Sequence, residues 1–200
     1  ELMEDKGIDD VYVARPPLTN LAIFTVMLFT LVEFLYPANS ALGWLGLAAG
    51  AAIIAVTSDY ILKDKVIINQ PYVIYLWLIF VMMAAGYSFM GWDILVDGAV
   101  NTSGFRHLIT SGGYGLAYLM VMMIVGWIHT GRHLTSNIYT HLMVSLLVLA
   151  TLMRSAIPFY PEHAQTLYML SAILWTVPFM LYIKVFFGYL KAPRADGIKG

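Results

Sequence analysis

Six long apolar stretches, separated by short polar connectors, dominate the pattern of this sequence. They cover residues 17–36, 42–62, 71–92, 107–130, 134–157 and 164–190. Each is close to or above the roughly 20 residues that an α-helix needs to cross the hydrocarbon core of a bilayer. None shows the alternation with a period of two that a β-barrel strand requires. The pattern therefore predicts an all-α bundle of six transmembrane helices, flanked by the polar segments 1–16 and 191–200.

The composition supports a membrane protein and removes several other classes. Of 200 residues, 60% are hydrophobic and 12% are charged, and the mean hydropathy is +0.76. A soluble domain could not cover so much apolar surface. The net charge of −1 gives no reason to expect nucleic-acid binding, and the absence of cysteine excludes disulfides and thiolate chemistry. The sequence also lacks a phosphate-binding loop, a dinucleotide-binding glycine pattern and a nucleophile elbow.

The basic residues predict an orientation in the membrane. With six spans, nine of the eleven Lys and Arg residues lie on the side that holds both termini, and only Arg106 and Arg154 lie on the other side. Because cytoplasmic loops carry the excess of Lys and Arg, both termini are expected to be cytoplasmic. In a bacterium the membrane would be the inner membrane, with Arg106 and Arg154 near its outer face.

Two histidines lie at the ends of the fourth span. His107 and His129 are 22 residues apart, which corresponds to roughly 33 Å along an α-helix. We expect them to share a helix face at opposite membrane surfaces, so that they cannot bind one iron together. The side chains that share this face, and that we therefore expect in the bundle interior, are Ser111, Tyr114, Tyr118 and Met122.

A histidine cluster follows in the stretch "GWIHTGRHLTSNIYTH", residues 126–141. If the helix continues through Gly131, His129 and His133 lie one turn apart, which is a recurrent metal-binding spacing, and His141 follows. If Gly131 ends the helix, His133 begins the next one. Imidazole binds haem iron, copper and zinc. The alternative is that these histidines only bond to water, headgroups and helix ends at the membrane surface.

Arg154 is a charged residue near the outer end of the fifth span. Ionisable groups inside a membrane are rare, and most are paired or functional. Two hypotheses follow for Arg154: it neutralises a haem propionate, or it pairs with Glu162.

Several motifs resemble one family. The stretch "HLITSGGYGLAYLMVMMIVGWIHTGRHL" is similar to the central motif of the NnrS family, bacterial haem- and copper-associated membrane proteins linked to nitric-oxide stress and denitrification. His107 matches the histidine that opens the family helix, and residues 129–132 match its closing "HTGR". Arg154 matches an arginine that ends the next family helix, and "PRADGIKG" at the end of the chain resembles the family's terminal sequence. These motifs lie within residues 70–200, and the first two spans resemble the family by hydropathy alone.

The resemblance implies a cofactor and a process. It implies haem b, and copper as a second possibility, in nitric-oxide or respiratory nitrogen metabolism, without naming a reaction. The cofactor-binding residues it implies are His107, His129, Arg132 and Arg154. Family members usually carry a further half with a histidine-rich motif, so this chain is expected to correspond to the C-terminal half. Trp77 stands where the third family helix has a histidine.

A second hypothesis is a non-catalytic accessory subunit without a cofactor. Its small residues would then let partner helices approach closely, at Gly46, Gly50, Gly112 and Gly113. Under either hypothesis the expected partners are membrane lipid and other membrane-protein subunits. A transporter ranks third, because only Pro178 and the Gly112–Gly113 pair suggest broken helices.

Overall fold

The fold is a bundle of long helices. A computed structural model describes residues 15–37, 39–57, 70–96 and 98–197. Within these ranges the long helices are α1 (Pro16–Leu35), α2 (Ala41–Thr57), α3 (Pro71–Val96), α4 (Thr102–His129), α5 (Ile138–Ala156) and α6 (Ala164–Lys191). Two short 3₁₀ turns, Ile157–Phe159 and Pro161–His163, lead from α5 into α6. The predicted all-α fold class is confirmed.

Five of these helices have the length and composition to cross a membrane. They are α1, α3, α4, α5 and α6, whereas α2 is apolar but has only 17 residues in the described part. The predicted end of the second span at residue 62, most of the segment 1–16 and residues 198–200 lie outside the described residues. The chain is a multi-pass membrane protein, and the cytoplasmic location of its termini stays a prediction.

Local sequence explains where α5 begins and α4 ends. The Asn137 side chain accepts hydrogen bonds from the backbone N–H groups of Tyr139 and Thr140, and the Thr140 hydroxyl bonds back to the Asn137 backbone. This reciprocal capping box satisfies N–H groups that the first turn of a helix leaves unpaired. At the other boundary Gly131 has a φ of +67°, a left-handed conformation that glycine adopts without steric cost. The turn at Gly131 therefore ends α4.

The core consists of two apolar clusters that share α3. One cluster joins α3 to α4, α5 and α6 and includes the fully buried Leu116, Met120 and Leu147. The other joins α3 to α1 and α2 and includes Phe29 and Ala49. Because α3 contributes to both clusters, it connects the α1–α2 hairpin to the helices that carry the candidate site.

The glycines that we expected at partner helices are used inside the chain. A Cβ atom on Gly46 would lie 2.9 Å from the Gly91 Cα atom, so α2 and α3 approach through their backbones. Gly50 faces Ser88 on α3, Gly112 faces Met82 and Thr151, and Gly113 faces Met83. The small-residue positions therefore pack this bundle itself.

A π-helical segment, Leu108–Tyr114, interrupts α4 directly after His107. A π-helix has a wider turn than an α-helix, so one such turn shifts the helix register by about 100°. The expectation that Tyr114 and Tyr118 face the bundle interior is therefore wrong, since their side chains are 47% and 69% exposed. Beyond the π segment, Leu116, Met120 and other apolar residues take the buried positions.

Candidate functional site

The structure brings His107 and Arg154 together. Nε of Arg154, on α5, donates a hydrogen bond of 3.4 Å to Nε2 of His107, in the first helical segment of α4. Because Nε2 accepts, a neutral His107 ring carries its proton on Nδ1. The guanidinium carbon of Arg154 lies 4.3 Å from the ring centroid of Tyr168 on α6. Side chains from three helices therefore meet at this end of the bundle, which we call the His107 end.

A cleft of about 390 Å³ opens beside this pair. Its lining comes from α4 (His107, Thr110, Ser111), α5 (Ala150, Arg154) and α6 (Ser171, Ala172, Trp175, Thr176). Ala150 is only 2% exposed, so α5 forms the floor of the cleft. Trp175 crosses towards α4, where its Nε1 atom lies 3.3 Å from the position of a Cβ atom on Gly115. The volume falls in the range typical of small-molecule and cofactor pockets.

The charge of Arg154 is not balanced by an acidic residue in the described ranges. The hypothesis that Arg154 pairs with Glu162 is wrong. Glu162 lies in the 3₁₀ turn Pro161–His163, where its Oε1 atom is 3.9 Å from Nε2 of His163. The guanidinium of Arg154 instead contacts His107 and Tyr168. Its remaining N–H groups are therefore suited to an anionic group in the cleft.

The first turn of α4 is held from two sides. Arg106 makes a two-pronged ion pair with Glu33 of α1, with N···O distances of 2.6 and 3.1 Å. On the opposite side Gly104 packs against the end of α5, where a Cβ atom would lie 2.6 Å from the Ser155 carbonyl oxygen. These contacts position His107 and direct the Arg106 charge to α1 rather than into the cleft.

The other end of α4, which we call the His129 end, is closed by residues 193–197, the tail segment. The carbonyl of His129 accepts a hydrogen bond of 3.2 Å from Nη1 of Arg194. The carbonyl of Thr130 accepts bonds from the Ala195 N–H at 3.0 Å and from Nη1 of Arg132 at 3.1 Å. The "HTGR" and "PRADG" stretches, which are far apart in sequence, are therefore in contact.

An internal ion pair completes the tail segment. Arg194 binds both carboxylate oxygens of Asp196, with Nε–Oδ1 and Nη2–Oδ2 distances of 3.0 and 2.5 Å. The hydrogen bonds to Asp196 raise the pKa of Arg194 above its ordinary value. The Asp196 carboxylate lies over Gly131, where a Cβ atom would be 2.6 to 2.8 Å from it. Position 131 therefore requires a glycine, both because of its φ angle and because a side chain there would meet Asp196.

The remaining histidines lie apart from one another. His133 follows the Gly131 turn and lines a separate cleft with Arg132, so His129 and His133 are not on successive turns of one helix. Nδ1 of His141 is hydrogen-bonded to the Tyr75 hydroxyl of α3. Among the residues that the structure describes, no three His, Cys, Asp or Glu residues lie together to hold a metal ion. Metal binding by His129, His133 and His141 stays a prediction.

Three residues of α6 contribute to the site and were missed by the sequence reasoning. Tyr168 stacks on Arg154, and Ser171 and Trp175 line the cleft. Their spacing of i, i+3 and i+7 places them on one face of a helix. That spacing is visible in the sequence, but nothing there shows that this face meets Arg154.

Comparison with known proteins identifies the family. The family model described as NnrS protein matches residues 6–194, which includes the first two helices that only hydropathy had linked to the family. Comparison with curated proteins found no match, and neither did comparison with solved structures. The match covers most of the chain, including His107, His129, Arg132 and Arg154. The chain therefore belongs to the NnrS family.

Proposed function

We propose that this protein binds haem b in the cleft at the His107 end and acts in nitric-oxide or respiratory nitrogen metabolism, in the inner membrane of a bacterium. The observation that supports the proposal is an imidazole beside a guanidinium without an acidic partner in the described ranges, in a cleft of about 390 Å³. Membership of the NnrS family directs the choice to haem.

The residues at the cleft fit a haem group. The imidazole of His107 would hold the haem iron, and the guanidinium of Arg154 would neutralise a haem carboxylate. Trp175 and Ala172 supply apolar walls. With one imidazole in the cleft, a bound haem would supply an iron with a position open to a diatomic gas. Copper prefers sites with several imidazole or sulfur ligands, whereas the cleft at the His107 end is lined by one imidazole and no sulfur atom, so the proposal is restricted to haem.

Arg154 has two tasks in this proposal. Its Nε atom now donates to the lone pair of His107 Nε2, which is a lone pair that an axial ligand would use. If haem were bound through Nε2, Arg154 would no longer donate to His107 and its guanidinium would be available to a carboxylate of the haem. The Glu33–Arg106 pair and the Gly104 contact hold the first turn of α4, which carries His107.

The test is an absorption spectrum of the full chain, purified from cells supplied with a haem precursor. We expect the bands of haem b in the reduced protein, and a shift of these bands on addition of carbon monoxide because one axial position is open. His107→Ala should remove the bands, and Arg154→Met should lower the haem content. His163→Ala is the matched control, because the His163 side chain is 69% exposed and lies outside the cleft.

Two results would contradict the proposal. Haem lost in His129→Ala but kept in His107→Ala would move the binding site to the other end of α4. A colourless protein that co-purifies in a fixed ratio with another membrane complex would favour the accessory-subunit hypothesis instead.

A further inference from the structure

A second cleft, of about 530 Å³, lies at the His129 end between the end of α4, the loop to α5 and the tail segment. The side chains that matter for its charge are Arg132, His133 and Asp196, with Trp127 as an apolar wall. It is separate from the His107 cleft and shares none of its lining residues.

Arg132 is a cation held in one orientation. Its guanidinium carbon lies 4.5 Å from the ring centroid of Tyr189, and its Nη1 atom donates to the Thr130 carbonyl at 3.1 Å. Arg132 forms no ion pair with an acidic residue in the described ranges. A guanidinium has N–H donors in a rigid planar fork that matches phosphate and carboxylate oxygens. The contacts with Tyr189 and Thr130 leave part of that fork for a ligand.

Asp196 does not cancel this charge. Its carboxylate lines the same cleft, but both of its oxygens bind Arg194 of the tail segment. The Arg194–Asp196 pair is neutral as a unit, so the net charge of the cleft comes from Arg132. The tail segment thus forms a wall of the cleft without adding a net negative charge.

The position of the cleft points to the level of lipid headgroups. α4 ends at His129 and α6 ends at Lys191, and both helices are apolar up to these ends. Tyr189, which lies under the Arg132 guanidinium, packs on the buried Trp127 at this end of the bundle, and tyrosine is frequent at membrane surfaces. Basic pockets between transmembrane helices at this level bind anionic headgroups. We propose that the Arg132 cleft binds a phosphate group, from an anionic phospholipid or from free inorganic phosphate.

The test titrates the delipidated full chain in a neutral detergent. The probes are dihexanoyl-phosphatidylglycerol, dihexanoyl-phosphatidylcholine and inorganic phosphate, with binding measured by native mass spectrometry and calorimetry. We expect phosphatidylglycerol to bind at least about tenfold more tightly than zwitterionic phosphatidylcholine. Inorganic phosphate that binds as tightly as phosphatidylglycerol identifies the free anion as the source. Binding of phosphatidylglycerol alone identifies the lipid.

Variants at the same end test whether Arg132 carries the binding. Arg132→Gln should weaken it about tenfold, and Arg132→Lys about threefold, because Lys keeps the charge but loses the fork. Lys191→Gln removes the same charge at the same end of the bundle, but Lys191 stacks on Phe187 and does not line the cleft. The Lys191→Gln variant should bind phosphatidylglycerol and inorganic phosphate as tightly as the natural chain does. Arg132→Lys preserves the test if Arg132→Gln does not fold.

Two outcomes would overturn this inference. One is that neither phosphatidylglycerol nor inorganic phosphate binds to the natural chain. The other is that Lys191→Gln loses as much affinity as Arg132→Gln, since binding would then reflect general surface charge. Neither outcome depends on haem, so the inference and the proposed function fail separately.

Discussion

Two arginines at opposite ends of α4, Arg154 and Arg194, lie close to histidines but differ in their partners. At the His107 end Arg154 faces an imidazole and an aromatic ring, and no acidic residue of the described ranges balances its charge. At the His129 end Arg194 binds both oxygens of Asp196 and the carbonyl of His129. A histidine and an arginine that lie near one another therefore do not by themselves define a function. The acidic partner distinguishes the two arginines: Arg194 has a carboxylate bound on two of its nitrogen atoms, whereas under the proposed function Arg154 keeps N–H groups for a ligand.

Energetic reasoning leads to the same distinction. A charged side chain within a transmembrane span is unfavourable by several kcal/mol unless it is paired or solvated. Arg154, near the end of its span, has no acidic partner in the described ranges, whereas Arg194 has its partner Asp196 in the same tail segment. Residues that destabilise a fold are typical of binding sites. The predictions below test this contrast, beginning with the change of largest effect.

The largest effect is expected for Gly104→Ala at the His107 end. The new Cβ atom would lie 2.6 Å from the Ser155 carbonyl oxygen, which is rigid helix backbone. Such overpacking typically costs up to about 3 kcal/mol. We expect a clear fall in the thermal unfolding temperature of the purified chain. The haem content should fall too, because α4 moves away from Arg154.

Gly188→Ala is the control for this change. Gly188 is also in a helix, but a Cβ atom there meets no atom within 4 Å. Alanine should stabilise that helix by about 0.5–1 kcal/mol, because it restricts the unfolded chain. Equal unfolding temperatures for the two variants would show that α4 and α5 are not packed as described.

Gly131→Ala tests the closure of the His129 end. Its φ of +67° makes alanine unfavourable by about 1–2 kcal/mol, and the new Cβ atom would also meet the Asp196 carboxylate. We expect about 2 kcal/mol of destabilisation and faster trypsin cleavage after Arg194, because the tail segment is displaced. Gly197 has a similar φ of +74°, and no atom of the described residues lies within 4 Å of the position of its Cβ atom. Gly197→Ala should therefore destabilise the chain less than Gly131→Ala. A larger loss of stability for Gly197→Ala would contradict the contact between Gly131 and Asp196.

Much of the fold could be predicted from hydropathy, because a lipid environment requires long apolar helices with satisfied backbones. The start of α3 at Pro71 and the end of α4 near Thr130 lie where polar connectors meet apolar runs. The π segment after His107 could not be predicted from periodicity: the Gly112–Gly113 pair suggested an irregular helix, but nothing in "LITSGGY" specifies a wider turn. That one segment reversed the expected positions of Tyr114 and Tyr118.

The candidate site could be predicted only in part. Sequence reasoning selected His107 and Arg154 separately, from their positions at span ends, and the structure places them in contact. Their neighbours Tyr168 and Trp175 come from a helix that begins after a loop. Which face of α6 meets α5 depends on the packing of both helices, and the hydropathy of α6 is nearly uniform around its axis. The contact between the Gly131 turn and Asp196 also depends on how the helices pack, so it could not be predicted from the sequence.

An exchange of each arginine for methionine sharpens the comparison further. Arg194→Met should lower the unfolding temperature of the chain, because Asp196 and the His129 carbonyl each lose a hydrogen-bond partner. Arg154→Met should leave the unfolding temperature of the haem-free chain unchanged or raise it. Methionine keeps most of the aliphatic stem and removes a charge that no acidic residue of the described ranges balances. A large loss of stability in Arg154→Met would show that this arginine is structural as well.

The smallest effects are expected at the two ion pairs, where the ends can be compared directly. Glu33→Gln removes the partner of Arg106, and Asp196→Asn removes the partner of Arg194. Both pairs are partly exposed, so each change should lower the stability of the chain only slightly. The loss of stability in both variants should be smaller in high salt than in low salt, because salt screens exposed charges.

The two variants should differ in one respect. Glu33→Gln leaves the Arg106 charge next to His107 without its partner, so haem content should fall in that variant and stay unchanged in Asp196→Asn. If haem content responds equally to both, the two ends of α4 are coupled, and the assignment of haem binding to the His107 end alone is wrong.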